Sequence, residues 1–234
     1  MQLSAGDTTR THCHLTVKRS TSTSVTLSDT ATAERRAAVR SKPPNILVYC
    51  GKKDSSRLFE SVKTVLSEVV NTDQFIIYHL KHGQVLSTPW HDNASLLVIA
   101  SDKVYDGVDR QFLEHFVRGG RLVSFGSVFD SALVKRRVRE PGLSAQLGVV
   151  TLLTDGDESV SVIATNYCYD TPPESLLPRV TLTCLAADKL TRRPVIVEAV
   201  HESSAGVAIL SQVSLSLSQP VCLSVSVSTV ESWS

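Results

Sequence analysis

The stretch from Pro44 to Gly126 constrains the fold most. It holds three short, nearly unbroken apolar runs, ILVYC (46–50), LLVIA (96–100) and RLVSF (121–125), and a fourth strand-like segment, QFIIYHL (74–80). Runs of this length and apolarity belong to strands covered on both faces. Between the first two strand-like segments, Leu58, Phe59, Val62, Val65, Leu66 and Val69 repeat at helical period behind Asp54 or Ser55, either of which can cap a helix. DGVDRQFLEHFVRGG (106–120) has the same character. Val108, Phe112, Leu113, Phe116 and Val117 make its apolar face, and Gly119 ends it. Strands alternating with helices predict an α/β domain, a parallel sheet flanked by helices.

The second half has another rhythm. LGVVTLL, SVSVIAT, VTLTCLA, PVIVEAV and GVAILSQVSLSL read as successive strands, and the last two as a hairpin closed by HESSAG. No amphipathic helix is expected after Glu140.

Both ends read differently. Residues 1–42 hold 15 Ser/Thr and seven Lys/Arg against three acidic residues. With so little apolar surface to bury, they are expected to be a disordered basic leader. A mitochondrial transit peptide is the functional alternative for this basic, Ser-rich segment. Residues 219–234 alternate weakly and read as a truncated tail, leaving 43–218 as the expected domain. The whole chain carries a net charge of +1, which gives no electrostatic case for nucleic acid. No apolar run approaches the ~18 residues that would span a bilayer. The five cysteines, Cys13, Cys50, Cys168, Cys184 and Cys222, are odd in number and form no CxxC. The expectation is a reduced cytoplasmic protein with no membrane or nucleic-acid partner, a mitochondrial location being the alternative.

Phosphate-binding and metal motifs are absent. No two of the 11 glycines stand two apart, so GxGxxG cannot occur, and neither GxxxxGK[ST] nor HExxH is present. His79 and His82, three apart in a predicted strand, would face opposite ways. His12-Cys13-His14 lies in the leader, and no metal is expected there. LVKRRVRE (133–140) reads as a solvated basic face, with a nuclear signal or phosphate contact as its functional alternatives.

GGRLVSFGS (119–127) is the segment that bears on chemistry. It reads as helix stop, strand, and a turn of small residues, the form of a nucleophile elbow. A serine hydrolase would use Ser124 in GxSxG. Gly126 supplies the second glycine, but Leu122 stands at the first.

Taken in order, PNILVYCG, TDQFIIYHL, PWHDNASLLVIA, FVRGGRLVSFGSVF and GVAILSQVSLSLS resemble the N-terminal region of eukaryotic biotin protein ligases (holocarboxylase synthetases), over roughly residues 43–218. That region is similar to class I glutamine amidotransferases, so the resemblance implies a flavodoxin-like α/β fold with the nucleophile on the turn after a central strand. In such enzymes a Cys attacks the amide carbon, a His activates it and an acid orients the His. Laid on the family's elbow, GGRLVSFGS puts Gly126 at the Cys. Laid on its late strand, GVAILSQVSLS puts Ser214 at the His and Ser216 at the acid. None can play its part. The family's ligase chemistry also needs a downstream domain with a GRGR-type loop over the adenylate, and this sequence contains no such loop.

The resemblance therefore implies a non-catalytic, regulatory or scaffolding domain with no cofactor of its own. The parent ligase would use ATP and biotin. The implied partners are the ligase's catalytic domain and biotin-dependent carboxylases. Two readings stand beside it. One is a residual hydrolase or amidotransferase acting through Ser124 or Cys50. The other is a module that holds a small molecule on the backbone N–H groups around Ser124, Gly126 and Ser127. Cys50 follows the first strand and is expected to pack as a small apolar residue. His201-Glu202 is expected to be a solvated turn.

Overall fold

The computed structural model describes residues 44–53, 55–105, 107–139, 147–153 and 159–215. The expected leader and tail, Asp54 and Ser216 fall outside them. The elements are β1 (Asn45–Tyr49), α1 (Ser55–Val69), β2 (Ile76–His79), α2 (His82–Ser87), β3 (Ala94–Ile99), α3 (Val108–Val117), β4 (Arg121–Phe125), β5 (Arg136–Val138), β6 (Gly148–Leu153), β7 (Ser159–Ala164), β8 (Tyr167–Tyr169), β9 (Val180–Asp188), β10 (Pro194–His201) and β11 (Gly206–Ser211).

Nine strands form one sheet in the order β2-β1-β3-β4-β11-β10-β9-β6-β7, and β5 with β8 makes a separate ribbon. β2, β1, β3, β4 and β11 run parallel. An order of 2-1-3-4 followed by a fifth parallel strand is the flavodoxin-like arrangement. The expected fold class is therefore found. The fifth parallel strand reaches its place only after the β-rich insertion. β10, β9, β6 and β7 extend the sheet antiparallel from β11. The hairpin predicted around HESSAG is β10–β11, its register running from Ile196↔Ser211 to His201↔Gly206.

All five residues of β1 are buried, as a strand covered on both faces requires. Alternate residues feed two cores. Ile46, Val48 and Cys50 pack with Val98 and Ala100 under Phe59 and Val62 of α1. Leu47, Tyr49, Leu97 and Ile99 turn the other way, toward Phe112 and Phe116 of α3 and onward to Phe129, Leu122 and Leu210. A third cluster, including Val150, Leu152, Ala186, Val195 and Val213, serves the antiparallel half.

Three details differ from the sequence reading. β2 stops at His79 and His82 opens a six-residue helix, so the two histidines do not share a strand. His79 stacks on Phe59 at 4.7 Å, and His82 Nδ1 lies 3.1 Å from the Tyr49 hydroxyl. The helix start is set by the Gln84 side chain, which accepts from the Lys81 N–H at 2.9 Å. Part of LVKRRVRE forms β5, where Arg137 and Lys135 pair with the buried Asp170 and Arg136 lies 4.6 Å over the Tyr167 ring. Finally, β11 ends at Ser211, short of the SLSL that sequence assigned to it.

The end of α3 shows how closely β11 approaches. Gly119 (φ 98°) turns the chain, and a Cβ at Gly206 would collide with the Phe116 carbonyl oxygen. Because the obstacle is backbone, Gly206→Ala should lower unfolding free energy by about 1–3 kcal/mol. Gly83→Ala in α2, where an added Cβ would meet no atom within 4 Å outside its own helix, should be neutral or slightly stabilising. Urea unfolding of the two variants checks the contrast.

Candidate functional site at the turn after β4

β4 is central, paired in parallel with β3 on one side and β11 on the other. Its carboxyl end lies where ligands gather in open α/β sheets. The chain leaves it at Gly126, whose φ of 57° is left-handed, and a 3₁₀ turn over Val128–Ala132 follows. Glycine accepts that conformation without strain. The turn therefore has the backbone form of an elbow, and the residue at its apex carries no side chain.

The Gly126 N–H donates to the Ser211 carbonyl at 2.7 Å, that of Val128 to the Asp102 carbonyl at 3.0 Å, and that of Phe129 to Ser127 Oγ at 3.2 Å. Arg136 Nη1 donates to the Ser127 carbonyl at 3.1 Å. Ser124 and Ser127 are fully buried. A Cβ built on Gly126 would point at Thr165 Cγ2 (3.2 Å), the Val213 carbonyl (3.5 Å) and Ser214 Cα (3.7 Å). The two positions at which the resemblance places Cys and His thus adjoin in space. Ser214 is half-buried, and its N–H is held by the Ile163 carbonyl at 2.9 Å.

Beneath the elbow lies a group that sequence reasoning passed over. Asp130 is fully buried. Ser124 Oγ donates to its Oδ1, while the Tyr169 hydroxyl (2.6 Å) and Gln212 Nε2 (2.9 Å) donate to Oδ2. Gln212 Nε2 also donates to the Tyr169 oxygen at 2.8 Å, and Gln212 Oε1 accepts from Thr165 Oγ1 at 2.6 Å. Burial pushes the Asp130 carboxyl up to about 6, against the hydrogen bonds from Ser124 and Tyr169 and the field of Arg136. Tyr169 is held well above its ordinary range, first by burial and then by Asp130. The one sequence signal was a carboxylate inside the apolar run SVFDSALV.

The remaining candidates lie apart. Cys50 is buried in the α1-side core, and burial pushes its thiol up to about 12, so it stays protonated. His201 and Glu202 close the β10–β11 turn, at the end of the sheet opposite the elbow. His201 Nδ1 lies 2.8 Å from Ser204 Oγ, and Glu202 accepts from Thr181 at 3.0 Å. Among the described residues no three His, Cys, Asp or Glu side chains gather as a metal site, and no helix is long and apolar enough to cross a membrane.

Comparison with known proteins adds a relationship. Over 98 residues, 41% of this chain, the sequence is 36% identical to a human protein named biotin–protein ligase. The chain spans 14% of that relative's length. No family model matches. Among solved structures, the fold is similar to part of an exo-β-1,4-mannosidase from Opitutaceae bacterium strain TAV5, with a TM-score of 0.50 and 12% identity, covering 78% of this chain and 33% of that one. A ThuA-like protein from Bacteroides uniformis superposes with a TM-score of 0.47 at 13% identity, covering 74% of this chain and 83% of that one. At 12% identity the likeness to the mannosidase bears on fold alone.

Asp130 gives a signed pH prediction. A carboxyl raised from 3.8 to about 6 on folding contributes stability that is fully present below about 4 and is lost as pH rises through about 6. The difference is worth at most roughly 3 kcal/mol. Asp130→Asn mimics the protonated acid, donating to Ser124 and accepting from Tyr169 and Gln212. Its stability relative to wild type should therefore improve as pH rises from 4 to 7. Asp130→Ala takes the acceptor away from Ser124 and Tyr169 and should cost on the order of 3 kcal/mol at pH 4; because alanine does not titrate, the cost should shrink toward pH 7. Denaturant unfolding at both pH values reads both effects.

Proposed function

We propose that this chain is a non-catalytic, regulatory or scaffolding domain from the N-terminal region of a biotin protein ligase, which as a whole attaches biotin to a carrier lysine using ATP. The observation that carries the reading is the 36% identity over 98 residues to the human ligase. The elbow supports it. An acyl-transfer enzyme needs an activated nucleophile beside a base, and Gly126 and Ser214, adjoining at the turn, provide neither. Ser124 is a poor substitute, since its hydroxyl is buried and committed to Asp130. The domain acts in this reading by contact, with the ligase's catalytic domain and through it the carboxylase substrates, and it carries no cofactor.

Two measurements test this. Incubated with ATP, biotin and a carrier domain, the chain should leave the carrier unmodified by mass spectrometry. Added in trans to an isolated ligase catalytic domain, it should bind saturably and change the KM for the carrier. Biotin transfer by the chain alone would overturn the non-catalytic assignment. No binding and no change in KM would overturn the regulatory one.

A further inference from the structure

A cleft of about 590 Å³ opens at the antiparallel end of the sheet, between β6, Asn166 and the turn that joins β9 to β10. That volume lies in the range of small-molecule sites. Arg139 enters it. The guanidinium lies over Gly148, where a Cβ would stand 3.5 Å from Nη2, and Arg139 Nη1 is buried with no hydrogen-bond partner. A buried guanidinium nitrogen left without an acceptor is costly, which makes this an unfilled position for an anion.

The nearby charges do not fill it. The Asp188 carboxylate is spent on its own turn, accepting from the Leu190 N–H at 3.1 Å and Thr191 Oγ1 at 2.7 Å. Lys189 also lines the cleft, and among the described residues neither it nor Arg139 enters an ion pair. With Arg139 and Lys189 against Asp188, the lining carries a net charge of +1. The lining also includes three solvent-facing apolar side chains: Leu147 is 51% exposed, Val149 76% and Leu190 89%. Three large apolar side chains exposed around one cationic recess match a ligand with an anionic head and an apolar body. A planar guanidinium favours a carboxylate, which it can hold through two parallel hydrogen bonds.

We propose that this cleft binds a small monocarboxylate bearing an apolar chain, its carboxylate on Arg139 and its chain against Leu147, Val149 and Leu190. The lining includes none of Ser124, Gly126, Ser127 and Ser214, and the proposal stands whatever the domain's role in a ligase.

Octanoate is the probe. Titrated into the full chain, it should give saturable amide shifts at Gly148 and Leu190 in ¹H–¹⁵N spectra. Octanamide, of the same size but neutral, should bind at least about tenfold more weakly, as should octylammonium. Arg139→Gln should weaken octanoate at least about tenfold. Val149→Asp, at a position exposed enough to leave the fold intact, should weaken it comparably. Equal binding of octanoate and octanamide to the unmodified chain, or no saturable shift with octanoate, overturns the proposal without any variant. Unchanged affinity in folded Arg139→Gln does so as well.

Discussion

A carboxylate with no access to water fixes how the two halves of this protein meet. Asp130 belongs to the parallel half, six residues beyond the Ser124 that donates to it. Tyr169 and Gln212, which donate to its other oxygen, come from the ribbon strand β8 and from the residue after β11. The main chain repeats the link: the Gln212 N–H is held by the Val195 carbonyl, and its own carbonyl accepts from Thr165. Burying an ionisable group is expensive unless its lone pairs are met. Here the donors converge from β4, β8 and the β11 exit, so only one arrangement of these segments satisfies the acid.

The same network preserves the elbow without reference to catalysis. The turn at Gly126 is anchored by Ser211 and Asp102 carbonyls and by Arg136 on Ser127, and Ser124 is tied beneath it. None of these contacts requires a nucleophile at the apex. With a left-handed φ and Thr165 within 3.2 Å of a built Cβ, glycine is the residue that fits most easily. The turn holds its form through these contacts, with no side chain at its apex.

How much could be read from sequence follows from the range of the forces. β1, β3 and β4 were legible because strands buried on both faces must be apolar along their whole length, and α1 and α3 because their stripes repeat locally. β5 and β8 were not. Each spans three residues, and β5 opens on two arginines, of which Arg137 is neutralised by Asp170, more than 30 positions away. The helix at His82 is one turn and a half, held by a Gln84 contact too common to be diagnostic. Gly126 and Ser214 could be placed by resemblance, and the fold brings them together. Asp130 could not be ranked, since one carboxylate in an apolar run reads like a cap until its three donors are known.

Asp130 is one of two buried titratable groups that work against each other. His115, packed against Gly120 and beside Trp90 and His91, is pushed down to about 4, first by burial and then by the neighbouring His91. A histidine lowered from 6.5 contributes stability that is present above its unfolded value and is lost as pH falls toward 4. Asp130 has the opposite sign over nearly the same interval, gaining as pH falls from about 6. The two contributions offset, so the intact fold should respond to mild acid less than either group would make it respond alone. Near neutrality the protein holds Asp130 ionised in a dry site and His115 neutral, and what makes the first tolerable is the set of donors that also closes the elbow. The cost of a buried charge and the shape of the candidate site are therefore one feature of the structure.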